Sequence, residues 1–558
     1  MKVSLRMLGA LSWALLPTAT LANNAHAPPI ISRHQTSSCS FLAASSLTVD
    51  TSMGTIIGTT SPDTPCVRRF LSIPFAQPPV SSLRFLPPKP LSALPTSPYN
   101  ATEFGPSCMQ FLIKDPPTIY TQFVNQYNLQ GLNMTSPFLS EDCLSLSVYA
   151  PPARLSGQQQ QQFPVIIFIH GGAFTTGGQD IPYQIPANWV QSSQEHIVVT
   201  FNYRLNIFGF PNAAAFDGEN TKQNPGLLDQ KMAIQWVKDH ISNFGGDPDR
   251  ITLWGHSAGA ISAAWYQYAA VDPSFPQVQA IIMDSGTEIF PLARASTEDV
   301  KHGNFSAVAT EVGCGGLGPE EELECMQNAD AEEIEEFLQR NMEELMSGEP
   351  FIYFTPVVDN RTVFGNYTDK AIRGKILNVP TIIGTNADDG LAFVPLTAEG
   401  GVNSTAEAVA TATLFFCPAV QASALRIVAG VPVYRYYYTG NFSNISPEPF
   451  LGAYHSAELP LLFGTDSLFR GPSTPEEEAL SEVMQDSWVA LAKGGQAGLE
   501  ATGWPRYDNL DTGLVREFGQ FQNGTARDGK VPLSAVVRDV SLKDIEGLCP
   551  AIFDRWLV

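Results

Sequence analysis

The segment Ile251-Thr252-Leu253-Trp254-Gly255-His256-Ser257-Ala258-Gly259 places a serine between a short apolar run and a stretch of small residues. The run 251–254 is typical of a buried strand, and residues 258–266 are typical of a helix. A G-x-S-x-G pattern between a strand and a helix is typical of a nucleophile elbow, a sharp turn that presents the serine hydroxyl. Glycines are needed there because neighbouring side chains would collide in a strained turn. The pattern therefore predicts Ser257 as a nucleophile.

Other apolar runs along the chain are typical of strands buried on both faces. They are Val165-Ile166-Ile167-Phe168-Ile169, Ile197-Val198-Val199-Thr200-Phe201, Ala280-Ile281-Ile282-Met283 and Thr381-Ile382-Ile383. Helical spacing of apolar residues predicts a helix over 228–243 and a very acidic one over 331–346, whose glutamates we expect on a solvated face. Strands alternating with helices predict an α/β fold with a large, mostly parallel central sheet flanked by helices.

The N-terminus predicts export. A basic start, Met1-Lys2-Val3-Ser4-Leu5-Arg6, precedes an apolar run over 7–16 and small residues near Ala22. This order is typical of a signal peptide over 1–22, cleaved after Ala22 or alternatively after Ala27. A run of about ten apolar residues is too short to span a bilayer, so we expect no membrane anchor. Because no repeat or linker divides the remainder, we expect one domain over 23–558.

Cysteines and sequons agree with a secreted glycoprotein. There are eight cysteines, an even number, and none has C-x-x-C spacing. Nine Asn-x-Ser/Thr sequons occur, at Asn100, Asn133, Asn304, Asn360, Asn366, Asn403, Asn441, Asn444 and Asn523. The formal net charge of −23 argues against nucleic acid or an anionic membrane as a partner.

A serine nucleophile needs a general base and an acid that orients it. In a fold with this elbow the chain order is serine, acid, histidine, which leaves His302 and His455 as candidate bases. His302 follows Ser257 too closely to leave room for the strands that present an acid, so we expect it on the surface. His455 is the predicted base. Asp388 and Asp389, just after the strand at 381–383, both fit the acid on spacing.

The tetrahedral intermediate needs backbone N–H donors for its oxyanion. One donor is expected from Ala258, directly after the nucleophile. The others are expected from the glycine-rich loop His170-Gly171-Gly172-Ala173-Phe174, which follows the strand at 165–169. His170 itself is expected to be a structural, hydrogen-bonding residue.

Several further stretches resemble the type-B carboxylesterase family, which includes cholinesterases and fungal lipases. They are Phe70-Leu71-Ser72-Ile73-Pro74-Phe75-Ala76-Gln77-Pro78-Pro79, Ser140-Glu141-Asp142-Cys143-Leu144-Ser145-Leu146-Ser147-Val148, Asn224-Pro225-Gly226-Leu227-Leu228-Asp229-Gln230 and Phe244-Gly245-Gly246-Asp247-Pro248. The resemblance implies the α/β-hydrolase fold. It selects Asp389 as the acid, because the family acid directly precedes a glycine, and it assigns the loop donors to Gly172 and Ala173.

The resemblance also implies the covalent and ionic framework. It pairs Cys108 with Cys143 and Cys314 with Cys325, and the remaining cysteines then pair as Cys39–Cys66 and Cys417–Cys549. It implies structural ion pairs between Arg84 and Glu141 and between Arg204 and Asp229.

The expected activity is hydrolysis of short to medium acyl or aryl esters through an acyl-enzyme, without a metal or organic cofactor. The loop between Cys108 and Cys143 has no tryptophan to bind a quaternary ammonium, which argues against choline esters. Its Ile119, Phe123 and Tyr127 repeat at i+4 and predict an amphipathic helix, either capping the acyl site or packing as core. A lipase with a lid in this loop is the alternative, and a non-catalytic adhesion-type relative is a third possibility. Three residues could line the acyl pocket or belong to the core, namely Phe351, Ile352 and Phe354.

Overall fold

The computed structural model describes residues 44–111, 119–120, 123, 139–152, 162–218, 222–290, 299, 301–344, 352–397, 400–468, 470–521 and 531–549. The strands are β1 Thr48–Thr51, β2 Gly54–Ile57, β3 Thr59–Ser61, β4 Thr64–Pro74, β5 Tyr99–Asn100, β6 Ser145–Ala150, β7 Phe163–Ile169, β8 Ile197–Phe201, β9 Gly246–His256, β10 Ala280–Asp284, β11 Thr381–Asn386, β12 Val433–Tyr438, β13 Val515–Phe518 and β14 Val537–Val540. The α-helices are α1 Ala187–Ser193, α2 Asn206–Gly209, α3 Pro225–His240, α4 Ala258–Ala269, α5 Gly303–Glu311, α6 Pro319–Asn328, α7 Ala331–Glu344, α8 Tyr367–Ile372, α9 Ser404–Ala410, α10 Cys417–Val428, α11 Leu459–Phe463, α12 Pro475–Glu500 and α13 Lys543–Glu546.

An 11-stranded sheet with the order β14-β13-β12-β11-β10-β9-β7-β8-β6-β4-β3 organises the molecule. The central strands, from β8 through β7, β9, β10, β11 and β12 to β13, are parallel, and the outer strands on both sides are antiparallel. A separate sheet contains β1, β2 and β5. The carboxyl ends of the parallel strands therefore share one edge, which is where open α/β sheets bind ligands.

The apolar runs become strands because both faces of the sheet are covered. Along β7, Ile167 and Ile169 join the hydrophobic core on one face, whereas Ile166 and Phe168 join the core on the other. Side chains alternate across a strand, so a continuous apolar run satisfies both cores at once. The predicted strands at 165–169, 197–201, 251–254, 280–283 and 381–383 all lie within observed strands.

The helix predicted over 228–243 differs from the observed one at both ends, and the end predicted at 346 for the second helix lies outside the described residues. The helix predicted over 228–243 begins earlier, at Pro225, and ends at His240, after which Ile241–Phe244 forms a 3₁₀ helix. Pro225 is suited to the first helical position because a helix leaves that N–H unpaired. The helix predicted over 331–346 is observed as Ala331–Glu344.

Two sequence expectations about exposure are wrong. Glu335 is buried rather than solvated, because its carboxylate accepts from Asn206 Nδ2 in the interior. His302 is also buried, with Nδ1 2.8 Å from the carbonyl oxygen of Asn212 and Nε2 3.1 Å from the carboxylate of Asp217. Neither contact follows from helical spacing, because the partners lie far away in sequence.

Disulfides join Cys108 to Cys143, Cys314 to Cys325 and Cys417 to Cys549. Cys66 is also disulfide-bonded, and Cys39 lies outside the described residues.

Two buried ion pairs tie loops to the core. Arg84 contacts Glu141 through two bonds of 2.6 Å, and Arg204 contacts Asp229 at 2.8 and 2.7 Å. These pairings agree with those implied by the family resemblance.

Within the described ranges, one helical segment, Ser404–Val428, has the length and apolar composition of a membrane span. It combines α9, a π-helical turn over Thr411–Phe416, and α10. Of its apolar 18-residue window, 56% is buried inside the protein, and Phe415 and Ala422 belong to the hydrophobic core. This burial is typical of a core helix.

Candidate active site

Ser257 lies in a strained turn between β9 and α4, with φ 55° and ψ −121°. A side chain at Gly255 would come within 2.1 Å of the carbonyl oxygen of Gly259, and one at Gly259 would come within 2.0 Å of the carbonyl oxygen of Ile169. Both flanking glycines are therefore sterically required. The backbone N–H of Ser257 donates to the carbonyl of Asp284 at 2.8 Å, which holds the turn against the end of β10.

Asp389 and His455 form a buried pair beside this turn. His455 Nδ1 lies 2.8 Å from Asp389 Oδ1, and neither side chain is more than 4% exposed. The other carboxylate oxygen accepts from Ser285 Oγ at 2.8 Å and from the backbone N–H of Asn386 at 2.7 Å. His455 Nε2 has no hydrogen-bond partner among the described residues, and no bond joins it to Ser257 Oγ there. This nitrogen is free to take a proton.

Asp388 makes different contacts although it is adjacent to Asp389. Its carboxylate accepts from the backbone N–H of Ala453 at 2.8 Å, and its own N–H donates to the carbonyl of Ala453 at 3.1 Å. Asp388 therefore holds the loop that carries His455, whereas Asp389 contacts the imidazole. The geometry distinguishes two aspartates that spacing leaves equivalent.

The loop after β7 packs directly against the elbow. A side chain at Gly171 would come within 2.9 Å of Ser257 Cβ. Gly172, Ala173 and Phe174 all have positive φ, at 106°, 54° and 63°. Left-handed backbone costs roughly 1–2 kcal/mol for each residue other than glycine, so other contacts must hold this loop.

Three N–H groups near Ser257 donate no hydrogen bond within the described part of the chain, those of Gly172, Ala173 and Ala258. Ala258 is the first residue of α4, and the first N–H groups of a helix have no acceptor in the helix. These groups can bind an oxyanion.

His170 stacks on Tyr203 with ring centroids 4.4 Å apart, and burial lowers the pKa of His170 to about 4. That ring is a neutral structural group.

A buried polar cluster lies behind the pair of Asp389 and His455. Asn386 Nδ2 donates to Glu458, and His256 Nε2 lies 3.8 Å from Glu458 Oε1. The rings of His256 and His455 are 4.5 Å apart. Burial raises the pKa of Glu458 well above its usual range, and burial together with His455 lowers the pKa of His256 well below its own. Burial therefore favours the uncharged form of each group beside the imidazole of His455.

Asp284 is a second buried acid at this edge of the sheet. Trp254 Nε1 donates to Asp284 Oδ2 at 2.5 Å. Burial, with a smaller contribution from Asp389, raises the pKa of Asp284 to about 7. The pKa of Asp284 is thus raised, as that of Glu458 is, because another negative charge near Asp389 is unfavourable in a site of low dielectric constant.

The candidate pocket residues do not share one environment. Phe354 is 3% exposed and belongs to the main core, and Ile352 is half-buried against that core. Phe351 lies outside the described residues.

In the 108–143 loop, Ile119 is buried and Tyr120 donates its hydroxyl to the carbonyl of His455 at 2.6 Å. Tyr127 also lies outside the described residues. This loop therefore contacts the loop of the candidate base.

Sequence reasoning missed several residues at the site. Ser285 and Asn386 both lie at the carboxyl ends of central strands, so polar residues just after an apolar run are the signal that could have identified them. Glu458 follows His455 by three residues and carries no comparable signal. Its place beside His256 depends on how the loop is folded.

The chain matches the model of the carboxylesterase family over residues 45–412 and 397–527. It is 44% identical over 452 residues to a chlorogenic acid esterase of Aspergillus niger, covering 81% of this chain and 83% of the relative. It is 39% identical over 482 residues to secreted lipase 5 of Gibberella zeae, covering 83% and 88%. A solved structure of a thermophilic pNB esterase superposes with a TM-score of 0.69 at 27% identity, covering 90% of this chain and all of that one. The chain belongs to the carboxylesterase family and is a carboxylic-ester hydrolase with the α/β-hydrolase fold.

Proposed function

We propose that the protein is a secreted serine esterase that cleaves short to medium acyl or aryl esters with Ser257, His455 and Asp389. The observation that carries this proposal is the 2.8 Å contact between His455 Nδ1 and buried Asp389 beside the strained turn of Ser257. A base oriented by an acid next to a serine elbow is the arrangement that acyl transfer requires.

In the first step Ser257 Oγ attacks the ester carbonyl while His455 Nε2 takes its proton. Asp389 holds the imidazole with the other nitrogen protonated and stabilises the imidazolium that forms. The negative charge on the former carbonyl oxygen is bound by the N–H groups of Gly172, Ala173 and Ala258. The imidazolium then protonates the departing alcohol, and the acyl group remains on Ser257.

In the second step water takes the place of the alcohol. His455 removes a proton from water, the hydroxide attacks the acyl carbonyl, and Ser257 regains its proton as the acid leaves. Burial favours the uncharged forms of Glu458 and His256 beside this imidazole, and Asp389 is the acid in contact with it. Since His455 carries the proton in both steps, the reaction balances without a cofactor.

Secretion is supported by the disulfides and by the secreted lipase relative. We propose residues 1–22 as a signal peptide and 23–558 as one domain.

Exposed sequon asparagines support glycosylation at Asn100, Asn360, Asn366, Asn403 and Asn441. Asn304 is half-buried, and Asn133 and Asn523 lie outside the described residues. Asn444 is buried and its amide donates to Glu477 and to the carbonyl of Asp466, so we do not expect carbohydrate there.

A lipase remains the second candidate function. The contact of Tyr120 with the carbonyl of His455 supports it, because this residue of the 108–143 loop lies beside the candidate base, where a lid would act. The similarity to a secreted lipase agrees with this candidate. The relative named chlorogenic acid esterase favours an aryl ester instead, so chlorogenic acid belongs in the substrate panel.

The test compares the wild type with Ser257→Ala on p-nitrophenyl esters of increasing acyl length and on chlorogenic acid. We expect the highest kcat/KM on short soluble esters and a loss of at least about 10³-fold in the variant. Activity that rises only above the solubility limit of long-chain esters would select the lipase. Equal rates for both proteins would show that Ser257 is not the nucleophile.

A further inference from the structure

The pair of Asp389 and His455 is contacted by the π-helical turn Thr411–Phe416, which lies between α9 and α10. The turn contributes two buried side chains at this site, those of Thr411 and Phe415. π-Helical turns are rare, and they often occur at functional sites. Neither side chain takes part in the proton transfers of the proposed reaction, so a role for this turn has to act through the pair itself.

Thr411 ties the turn to the loop of Asp389. Its Oγ1 accepts from the backbone N–H of Gly390 at 2.7 Å and donates to Glu407 Oε1 at 2.6 Å. Gly390 directly follows Asp389, and a side chain at Gly390 would come within 2.2 Å of the backbone nitrogen of Thr411. Glycine permits this close approach of two backbones. The turn is therefore fixed relative to the acid that contacts His455.

Phe415 packs against the imidazole of His455. The two ring centroids are 4.7 Å apart, and the ring planes are tilted by 42°. Phe290 and Phe393 lie 5.4 and 5.5 Å from the ring of Phe415, measured between centroids, and hold it in turn. Phe415 is only 2% exposed, so its ring contacts the candidate base and leaves little surface for an ester.

The contact with Asp389 restrains the imidazole at one atom only. That atom is His455 Nδ1, whereas Nε2, which takes the proton of Ser257 in the proposed reaction, would move if the ring pivoted about Nδ1. Misplacing a reacting group by about 1 Å can cost roughly 10²-fold in rate. The rings of Phe415 and His256, at 4.7 and 4.5 Å, restrict the pivot because a close-packed interior leaves no room for it.

We propose that Phe415 is a positioning residue, whose ring restricts the imidazole of His455 so that Nε2 stays directed at Ser257 Oγ. The inference rests on the proposed function of Ser257 and His455. Because Phe415 acts through the imidazole, its effect is expected on proton transfer, and so on kcat, more than on binding of the ester.

Phe416 provides a matched control. It is the next residue in the same π-helical turn and is 4% exposed, close to the 2% of Phe415. Its surroundings are different, since it packs in a cluster with Cys417 and Cys549 and lies 6.1 Å from the ring of Tyr437. Phe415→Leu and Phe416→Leu thus remove the same ring, once beside the imidazole and once beside the disulfide.

The first experiment measures kcat, KM and Tm of the full-length protein with p-nitrophenyl acetate, butyrate and octanoate. For Phe415→Leu we expect kcat to fall at least about tenfold on each ester while KM stays within about twofold. Phe416→Leu should retain kcat within about twofold, with a fall in Tm similar to that of Phe415→Leu. The matched Tm values separate positioning from a general loss of stability.

A double-mutant cycle with His455→Ala tests whether Phe415 acts through the imidazole. Residues that act as a unit are not additive, so Phe415→Leu should lower the residual kcat of His455→Ala by less than about twofold. A residue that lined the acyl pocket would instead cost the same factor in both backgrounds, and its loss would change the ratio of kcat/KM between octanoate and acetate.

Three results would overturn the inference. They are an unchanged kcat in Phe415→Leu, an equal loss in Phe416→Leu, and an equal loss from Phe415→Leu in the wild-type and His455→Ala backgrounds. Ser257→Ala separates the two proposals. If that variant is inactive while Phe415→Leu is fully active, only the positioning role fails, whereas an active Ser257→Ala removes the proposed function itself.

Discussion

Asp388 and Asp389 illustrate how much one position matters at the scale of the residue. One carboxylate oxygen of Asp389 contacts His455 Nδ1, and the other accepts from Ser285 Oγ and from the N–H of Asn386. The carboxylate of Asp388 accepts from the backbone N–H of Ala453. Both residues follow β11, and Asp389 begins a 3₁₀ helix over Asp389–Phe393. There one side chain reaches the imidazole and its neighbour reaches the loop that carries it.

Asp389→Asn should lower kcat by on the order of 10⁴-fold. The two donors on the far side will hold the amide oxygen, so the amide NH₂ will face His455 and favour the wrong imidazole tautomer. Asp388→Asn keeps an oxygen that can accept from Ala453 and should retain kcat within a few-fold. Steady-state kinetics of both variants test this assignment, and a larger loss in Asp388→Asn would reverse it.

At the scale of the element, α7 is an acidic helix in which one glutamate is buried among those whose burial is described. Glu332, Glu333 and Glu336 are exposed, whereas Glu335 is buried with its carboxylate on Asn206. Desolvation raises the pKa of Glu335 to about 8, with the hydrogen bond from Asn206 opposing the shift. The folded protein therefore keeps a proton here that the unfolded chain has already lost at neutral pH.

Glu335 should make the stability of the fold depend on pH. Between its unfolded pKa, about 4.5, and its folded pKa, about 8, the folded state binds the extra proton, so its contribution is complete below that interval and declines as pH rises through it. Glu335→Gln should make Tm fall less steeply between pH 5 and pH 8 than in the wild type. Glu336→Gln on the same helix is the control and should keep the wild-type slope. Identical slopes in all three proteins would contradict the assignment.

At the scale of the whole molecule, disulfides tie distant parts of the chain together. Cys417–Cys549 closes a separation of 132 residues and links α10 to the C-terminal part of the described chain. Cys314–Cys325 closes only 11 residues. A crosslink that closes a longer loop restricts the unfolded chain more strongly.

Removing these disulfides should therefore have unequal effects on stability. In the chain-entropy description, loss of the longer crosslink costs about 5 kcal/mol and loss of the shorter one about 3 kcal/mol. We expect the double variant Cys417→Ser with Cys549→Ser to unfold at a lower urea concentration than the double variant Cys314→Ser with Cys325→Ser. The opposite order of urea midpoints, measured without reductant, would contradict this expectation.

The fold class could be predicted because its signals are local and repeated. Apolar runs such as 165–169 and 197–201 are long enough to cover both faces of a sheet, and the strand, glycines and small-residue helix around Ser257 are compatible with few other backbones. His302 lies before β11, the strand that precedes both candidate acids, so the reason for excluding it as the base agrees with the observed order of elements. Its predicted exposure was wrong. Helix ends were less accurate, because Pro225 begins a helix that apolar spacing alone starts three residues later.

The sequence by itself determined the α/β-hydrolase fold, the strained turn of Ser257 and the glycine-rich loop that packs against it. It did so because steric requirements at fixed spacing act between neighbouring residues and are visible in the order of the amino acids. Spacing left Asp388 and Asp389 equivalent, and the family resemblance selected Asp389, whose contact with His455 the tertiary structure shows. Only the tertiary structure decided that Ser285 and Glu458 lie behind that pair and that Tyr353 reaches Ala173. Those contacts join segments up to 180 residues apart, and they depend on which way side chains turn where separate strands and loops converge.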